Sequence, residues 1–78
     1  MRRFFHPDAS SLDLPRVLQA LSDPVRLEMV RRIAAAGELT CGALGEDRPK
    51  SSMSHHFRTL RDAGVIHTRV AGAVHLNA

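Results

Sequence analysis

The chain has 78 residues, of which 44% are hydrophobic and 24% are charged, and it carries a formal net charge of +3. This length accommodates one small domain with a thin core and is too short for two domains. No apolar run approaches the ~20 residues of a membrane span, and the first residues do not form a secretory signal. The single cysteine excludes an internal disulfide and is typical of a reducing compartment, so we expect a cytoplasmic protein.

Positive charge is concentrated in one part of the chain. Residues 1–47 contain six basic and seven acidic residues, whereas residues 48–69 contain five basic residues and one acidic residue. Clustered positive charge attracts polyanions and steers their encounter with a protein. The distribution favours a nucleic-acid-binding surface within residues 48–69, although a solvated charged helix has the same composition.

The first half of the chain predicts a flexible arm followed by two helices. Residues 1–11 are expected to form the flexible N-terminal arm of a domain over residues 12–78. One helix is predicted to begin after Asp13 and another after Asp23, because an N-cap aspartate with a proline in the first turn favours a helix start. Gly37 is a natural residue to end the second helix.

Apolar spacing predicts which faces of these helices are buried. The first helix has one apolar stripe, which consists of Leu14, Leu18 and Leu21. The predicted buried face of the second helix consists of Leu27, Val30, Ile33 and Ala34. On the outer side of the second helix, Glu28 is expected to pair with Arg31 and Arg32.

The second half of the chain predicts two further helices and a hairpin. Thr40 is the expected N-cap of a short third helix, and Pro49 opens a fourth helix that continues to Ala63. From Val65 the residues alternate and are rich in β-branched side chains, with a turn at Ala71-Gly72, which is typical of a β-hairpin. The predicted fold is α+β and mostly α, with four short helices followed by a two-stranded hairpin.

The fourth helix has an apolar face and a polar face. Met53, Phe57 and Leu60 share one side and are expected to pack inward. The opposite side carries short hydrogen-bonding side chains, which are compact enough to let the helix approach base edges in a major groove. The N-terminus of the helix supplies free N–H groups for phosphate. The candidate DNA contacts are Lys50, Ser51, Ser52, Ser54, His55, Arg58 and Thr59, with Arg61 and Arg69 on phosphates.

Three stretches of sequence carry a specific resemblance. They are ALSDPVRL at residues 20–27, GELT at residues 37–40 and SMSHHFRTLRDAGVI at residues 52–66. At this separation they resemble the ArsR/SmtB-type (arsenic-repressor) family of winged helix-turn-helix regulators. The resemblance implies that the helix over residues 49–63 is the recognition helix and that the hairpin is the wing. It also implies a homodimeric transcriptional repressor that binds double-stranded DNA. A metal ion or another signal releases such a repressor from the DNA.

The chain departs from the family pattern in three places. Only Arg69 is basic near the wing tip, so the wing is expected to add little affinity. The Cys-x-Cys pair of arsenic sensors is absent, because Cys41 stands alone, and we expect neither a metal site nor a cofactor. Family members usually continue into a C-terminal helix that helps them dimerise. This chain ends at Ala78, so its dimerisation would depend on the first helix and the N-terminal arm.

Several side chains have a structural interpretation beside the functional one. Cys41 is more simply a small buried residue than a thiol sensor. His56 is expected at the core boundary, because adjacent helical histidines point in different directions and do not chelate a metal together. His67 and His75 could face each other across the hairpin, without a third ligand for zinc. Phe4 is expected to anchor the N-terminal arm, together with Phe5.

No enzyme is expected, because no serine–histidine pair has a carboxylate placed to orient a base and no glycine-rich phosphate loop is present. The alternative function is a winged-helix protein-interaction module without DNA binding, since one fold serves both roles. An exposed basic face formed by Lys50, Arg58 and Arg61 favours DNA. Neutralisation of that face by Glu46 and Asp62 favours a protein partner.

Overall fold

A computed structural model of the chain describes residues 4, 6–8 and 12–78. The elements, in chain order, are α1 (Leu14–Leu21), α2 (Pro24–Ala36), β1 (Leu39–Thr40), α3 (Cys41–Gly45), α4 (Lys50–Asp62), β2 (Thr68–Ala71) and β3 (Val74–Asn77). The four helices and the β2–β3 hairpin confirm the predicted α+β winged helix-turn-helix. Most of the predicted N-terminal arm, namely residues 1–3, 5 and 9–11, lies outside the described residues. No helix in the described part is long and apolar enough to cross a membrane.

The helix starts follow the predicted capping residues. The carboxylate of Asp23 accepts a hydrogen bond from the backbone N–H of Arg26 at 3.0 Å, and this bond lowers the pKa of Asp23. Asp13 also stands at a helix start, but its side chain makes no cap bond. At α3 the Thr40 hydroxyl accepts from a backbone N–H of the first turn at 3.0 Å. Such a cap stabilises a helix by about 1 kcal/mol.

The core lies where α2, α3 and α4 meet beneath the connection from α4 to β2. The predicted inner face of α4 is confirmed, because Met53, Phe57 and Leu60 are all buried. The buried hydrophobic residues are Ala20, Met29, Ile33, Leu44, Met53, Phe57, Leu60, Ala63 and Ile66. Because burial of one large apolar side chain is worth roughly 1.5–3 kcal/mol, these contacts hold α4 in place from behind.

The buried face of α2 differs from the prediction. Met29 and Ile33 are its buried residues, whereas Leu27 and Ala34 are exposed. Val30 is partly buried against the core. Apolar residues occur on more than one side of this helix, so their spacing did not determine which side packs.

The apolar stripe of α1 is also largely outside the core. Leu14 is 67% exposed and Leu18 is 59% exposed, whereas Leu21 packs against the core. The fully buried residue of α1 is Ala20. A small side chain at this position lets α1 approach α2 and α4 closely, which leaves the two leucines on the outer side.

The charged side chains on the outer side of α2 agree with the prediction for Arg31 and differ from it for Arg32. The guanidinium of Arg31 lies 3.9 Å from the carboxylate of Glu28, as expected for this helical spacing. Arg32 does not join this pair, since its guanidinium donates to the carbonyl oxygen of Ala43 at 3.1 Å. Arg32 therefore connects α2 to α3.

The strands form a three-stranded antiparallel sheet in the order β1-β3-β2. The prediction contained only the hairpin, because β1 has two residues and offers no alternation to recognise. Thr68 and Leu39 both lie opposite Asn77. The hairpin turn falls at Gly72-Ala73, one residue later than predicted, and Gly72 has a φ of 63°.

The predicted pairing of two histidines across the hairpin is wrong. His75 lies opposite Val70 in the sheet register. His67 precedes β2 and exchanges two backbone hydrogen bonds of 2.9 Å with Ala78. The register is set by the later turn, so the two imidazoles are not cross-strand neighbours.

Candidate nucleic-acid interface

The exposed side of α4 forms one polar surface over the first two thirds of the helix. The buried Met53, Phe57 and Leu60 anchor the opposite side. Six of the nine predicted DNA contacts are exposed on this surface, namely Lys50, Ser51, Ser52, Ser54, His55 and Arg58. We call these six residues the α4 surface. Their side chains are short or flexible, so the helix can enter a major groove and bring its backbone close to the base edges.

The basic side chains of the α4 surface face solvent without neutralisation. Within the described residues, neither Lys50 nor Arg58 has a carboxylate within 4.0 Å. Glu46 and Asp62, the predicted neutralising residues, pair with neither of them. The positive charge near the N-terminus of α4 therefore adds to the positive end of the helix dipole.

A groove of about 730 Å³ runs between α3, α4 and β3 beside this surface. Four cationic residues and one histidine contribute to its lining, namely Arg48, Lys50, Arg58, Arg61 and His75. Ser54 also lines the groove. The lining also includes the acidic Glu46. Because the cationic residues outnumber this carboxylate, the groove suits an anion.

Three predicted contacts have partners within the chain. The Thr59 hydroxyl donates to the carbonyl oxygen of His55 at 3.0 Å. The guanidinium of Arg61 lies 4.6 Å from the centre of the Phe4 ring. Arg69 donates two hydrogen bonds to the Glu38 carboxylate, of 3.2 and 3.1 Å. These three residues therefore differ from the α4 surface, since their polar groups already have partners.

Phe4 and His6 lie against the base of the wing. The Phe4 ring meets His75 edge-on, with centroids 5.0 Å apart, which is the anchoring role predicted for Phe4. Its predicted companion Phe5 lies outside the described residues. His6 accepts a hydrogen bond from the backbone N–H of Thr68 at 3.0 Å. The His6 ring also stacks on His67 at 3.9 Å. Desolvation lowers the pKa of His6, with smaller effects from His67 and Arg61.

Sequence reasoning missed the contact that Arg26 makes with the candidate recognition helix. The Arg26 guanidinium lies 3.2 Å from Nδ1 of His56. His56 is partly buried, as expected at the core boundary. The stretch ALSDPVRL marked Arg26 by resemblance alone, and its partner 30 residues away could not be found from local spacing.

The described residues contain no group of three histidine, cysteine, aspartate or glutamate side chains that could hold a metal ion. Cys41 is partly buried, and its sulfur accepts a hydrogen bond from the amide of Asn77 at 3.3 Å. The thiol thus lies in a packed network between α3 and β3.

Comparisons with known proteins agree with this geometry. Residues 21–69 match the family model of a helix-turn-helix domain. The chain is 44% identical over 57 residues to the HTH-type transcriptional regulator YceK of Bacillus subtilis. It is 31% identical over 58 residues to an HTH-type transcriptional regulator of Methanocaldococcus jannaschii. The alignments cover 69% and 72% of this chain but 57% and 65% of the two relatives, less than two thirds of either.

A solved structure is similar over nearly the whole chain. The crystal structure of the ArsR family transcriptional regulator RHA00566 matches with a TM-score of 0.75 and 29% sequence identity. The match covers 95% of this chain and 75% of that protein. The similarity therefore includes the wing as well as the helices.

Proposed function

Because this chain belongs to the ArsR-type family of helix-turn-helix transcriptional regulators, a non-enzymatic DNA-binding family, we propose that it is a cytoplasmic transcriptional repressor. It binds double-stranded DNA at specific sequences. The observation that carries this proposal is the α4 surface, in which Lys50 and Arg58 form no ion pair with any described residue. Occupation of a promoter by the domain would exclude the transcription machinery.

In the proposed complex the N-terminal half of α4 enters the major groove. Ser51, Ser52 and His55 lie on the exposed side and offer hydrogen bonds to base edges. Lys50 and Arg58 reach backbone phosphates, which supply affinity and register but no direct sequence readout. The free N–H groups at the start of α4 add a further phosphate contact.

The wing has a smaller role in the proposed complex. Arg69, its basic residue, is held by the Glu38 carboxylate. A phosphate would have to compete with that carboxylate, so the net gain from this contact is small. Arg61 and Thr59 lie toward the C-terminal end of α4. They add little to DNA affinity, because their polar groups already have partners within the chain.

We also propose that the DNA-bound form is a homodimer, assembled through the outer side of α1. Leu14 and Leu18 lie one helical turn apart and are mostly exposed, and Leu12 beside them is 45% exposed. Members of the family are typically homodimers, so we expect a second copy of this chain to cover these leucines. Such a dimer presents two α4 helices to successive turns of the major groove, roughly 34 Å apart.

The test of DNA binding is fluorescence anisotropy of a labelled duplex titrated with the protein at several salt concentrations. Arg58→Glu is expected to weaken binding about tenfold or more and to reduce the salt slope by about one. Arg31→Glu is the matched control, because it makes the same charge change on the exposed side of α2. Equal affinity of the Arg58→Glu variant and the wild type would contradict the placement of α4.

A protein-interaction module remains the second candidate function, on one specific observation. The wing exposes Val70 and Val74, which are 48% and 46% accessible, where a DNA-contacting wing would expose basic side chains. Absence of duplex binding even at low salt would favour this second function.

A further inference from the structure

Arg26 joins three helices at the corner between α1 and α2. Its Nε donates a hydrogen bond to the carbonyl oxygen of Ala20 at 2.7 Å. A second contact, of 3.5 Å, runs from Nη2 to the carbonyl oxygen of Gln19. Carbonyl oxygens in the last turn of a helix have no partner within the helix, so Arg26 caps the C-terminus of α1. The remaining Nη1 lies 3.2 Å from Nδ1 of His56 on α4.

The chemistry of this contact determines the state of the imidazole. A guanidinium is only a donor, so Nδ1 of His56 must accept. An acceptor at Nδ1 places the ring proton on Nε2 and requires the neutral form of His56. The imidazolium form has no acceptor and would direct an N–H toward the Arg26 cation.

The charged groups around His56 act in opposite directions. The carboxylate of Asp23 lies 3.9 Å from Nδ1 and favours the imidazolium. Desolvation is the largest effect and lowers the pKa of His56, and the positive charges of Arg26, His55 and Arg48 lower it further. His56 therefore keeps its neutral form to a lower pH than an ordinary histidine does, because its pKa is lowered.

The position of His56 explains why this contact matters for the helix. His56 is the central residue of α4 (Lys50–Asp62). It lies on the flank between the buried side and the α4 surface, and its neighbour His55 belongs to that surface. A hydrogen bond at this point restrains the rotation of α4 about its own axis, which nonpolar packing restrains less, because apolar contacts are not directional.

We infer that Arg26 and His56 are positioning residues that orient the recognition helix on the α1–α2 corner, so that protonation of His56 weakens DNA binding although His56 does not contact DNA. The inference rests on the proposed function of α4. Binding is expected to keep its strength while His56 is neutral and to weaken as the pH falls through the lowered pKa of His56.

The experiment compares wild type, His56→Asn and His56→Leu in duplex binding between about pH 5 and pH 8. In the His56→Asn variant an amide oxygen takes about the place of Nδ1 and accepts from Arg26 without titrating. In the His56→Leu variant the acceptor is absent at every pH. The other histidines are the same in all three proteins, so the comparison reports on the change at position 56.

We expect wild-type affinity to fall roughly threefold to tenfold further than that of His56→Asn on acidification. His56→Leu is expected to bind about tenfold more weakly at pH 7.5, with an unchanged salt slope, since no phosphate contact is lost. Circular dichroism confirms that each variant is folded. Parallel pH profiles for wild type and His56→Asn would overturn the inference.

Nuclear magnetic resonance of the free protein separates this inference from the proposed function. The imidazole nitrogen shifts of His56 are expected to show a bare Nδ1 and a protonated Nε2 at pH 7. Amide shifts along α4 are expected to follow the titration of His56. A protein that binds no duplex would refute the proposed function, whereas α4 amides that ignore the His56 titration would refute the positioning role.

Discussion

Asn77 has no exposed surface and connects three parts of the fold. Its side-chain oxygen accepts from the Thr68 hydroxyl at 2.7 Å. Its amide donates to the carbonyl oxygen of Leu39 at 3.2 Å and to the sulfur of Cys41 at 3.3 Å. A buried polar side chain is tolerated only with such partners, so Asn77 links the wing to β1 and to the start of α3.

Replacement of Asn77 is therefore expected to destabilise the whole domain. Asn77→Ala leaves the Thr68 hydroxyl and the Leu39 carbonyl without this partner and opens a small void. We expect the free energy of unfolding to fall by about 2–4 kcal/mol in urea denaturation followed by circular dichroism. Val74→Ala, at an exposed position of the same strand, is expected to change it by less than about 0.5 kcal/mol. Similar losses for the two variants would contradict this account.

At the scale of elements, two glycines have opposite roles. Gly64 ends α4 and has a φ of 79°, in the region that side chains rarely adopt. A Cβ at this position would also collide with Leu12 and lie 3.2 Å from Pro7. Gly42 lies within α3 with an ordinary φ, and its nearest neighbour would be the Thr40 hydroxyl at 3.9 Å.

The same substitution is expected to have opposite signs at these two glycines. Gly64→Ala should lower the free energy of unfolding by about 1–2 kcal/mol, because the left-handed backbone becomes strained. Gly42→Ala should raise it by about 0.5 kcal/mol, because alanine favours the helix and meets no clash. Thermal unfolding of the two variants measures both changes. Stabilisation by Gly64→Ala would show that the turn after α4 does not need a glycine.

At the scale of the whole molecule, the main feature is that a cationic surface and an apolar surface lie on different helices. Lys50 and Arg58 are exposed on α4, whereas Leu14 and Leu18 are exposed on α1. A thin core in a chain of this length limits stability, and association through an apolar face is a common remedy. The proposed dimer joins these facts, because it buries the leucines and leaves the α4 surface outward.

The dimer leads to a prediction on mass in solution. Leu14→Glu combined with Leu18→Glu should shift the protein to a monomer in sedimentation equilibrium, because buried carboxylates without partners oppose association. Val74→Glu, an equal change on the exposed wing, should leave the mass unchanged. An unaltered mass for the double variant would place the dimer contact elsewhere.

Local chemistry carried much of the prediction. Asp23 and Thr40 cap helices where the sequence placed them, because a cap bonds only to residues three positions away. The inner face of α4 was also predictable, since three large apolar residues share one side and the other side is polar. The candidate DNA contacts followed from that division, and they stay predictions.

Only the tertiary structure decided which sides of α1 and α2 pack. On α1 the small Ala20 is buried and most of the leucine stripe is not, and α2 carries apolar residues on more than one side. It alone showed β1, which is too short to have a period. The contacts of Arg69 with Glu38 and of Arg26 with His56 span 31 and 30 residues. Such partners are brought together by the packing of whole elements, and side-chain types in the sequence do not specify which distant groups meet.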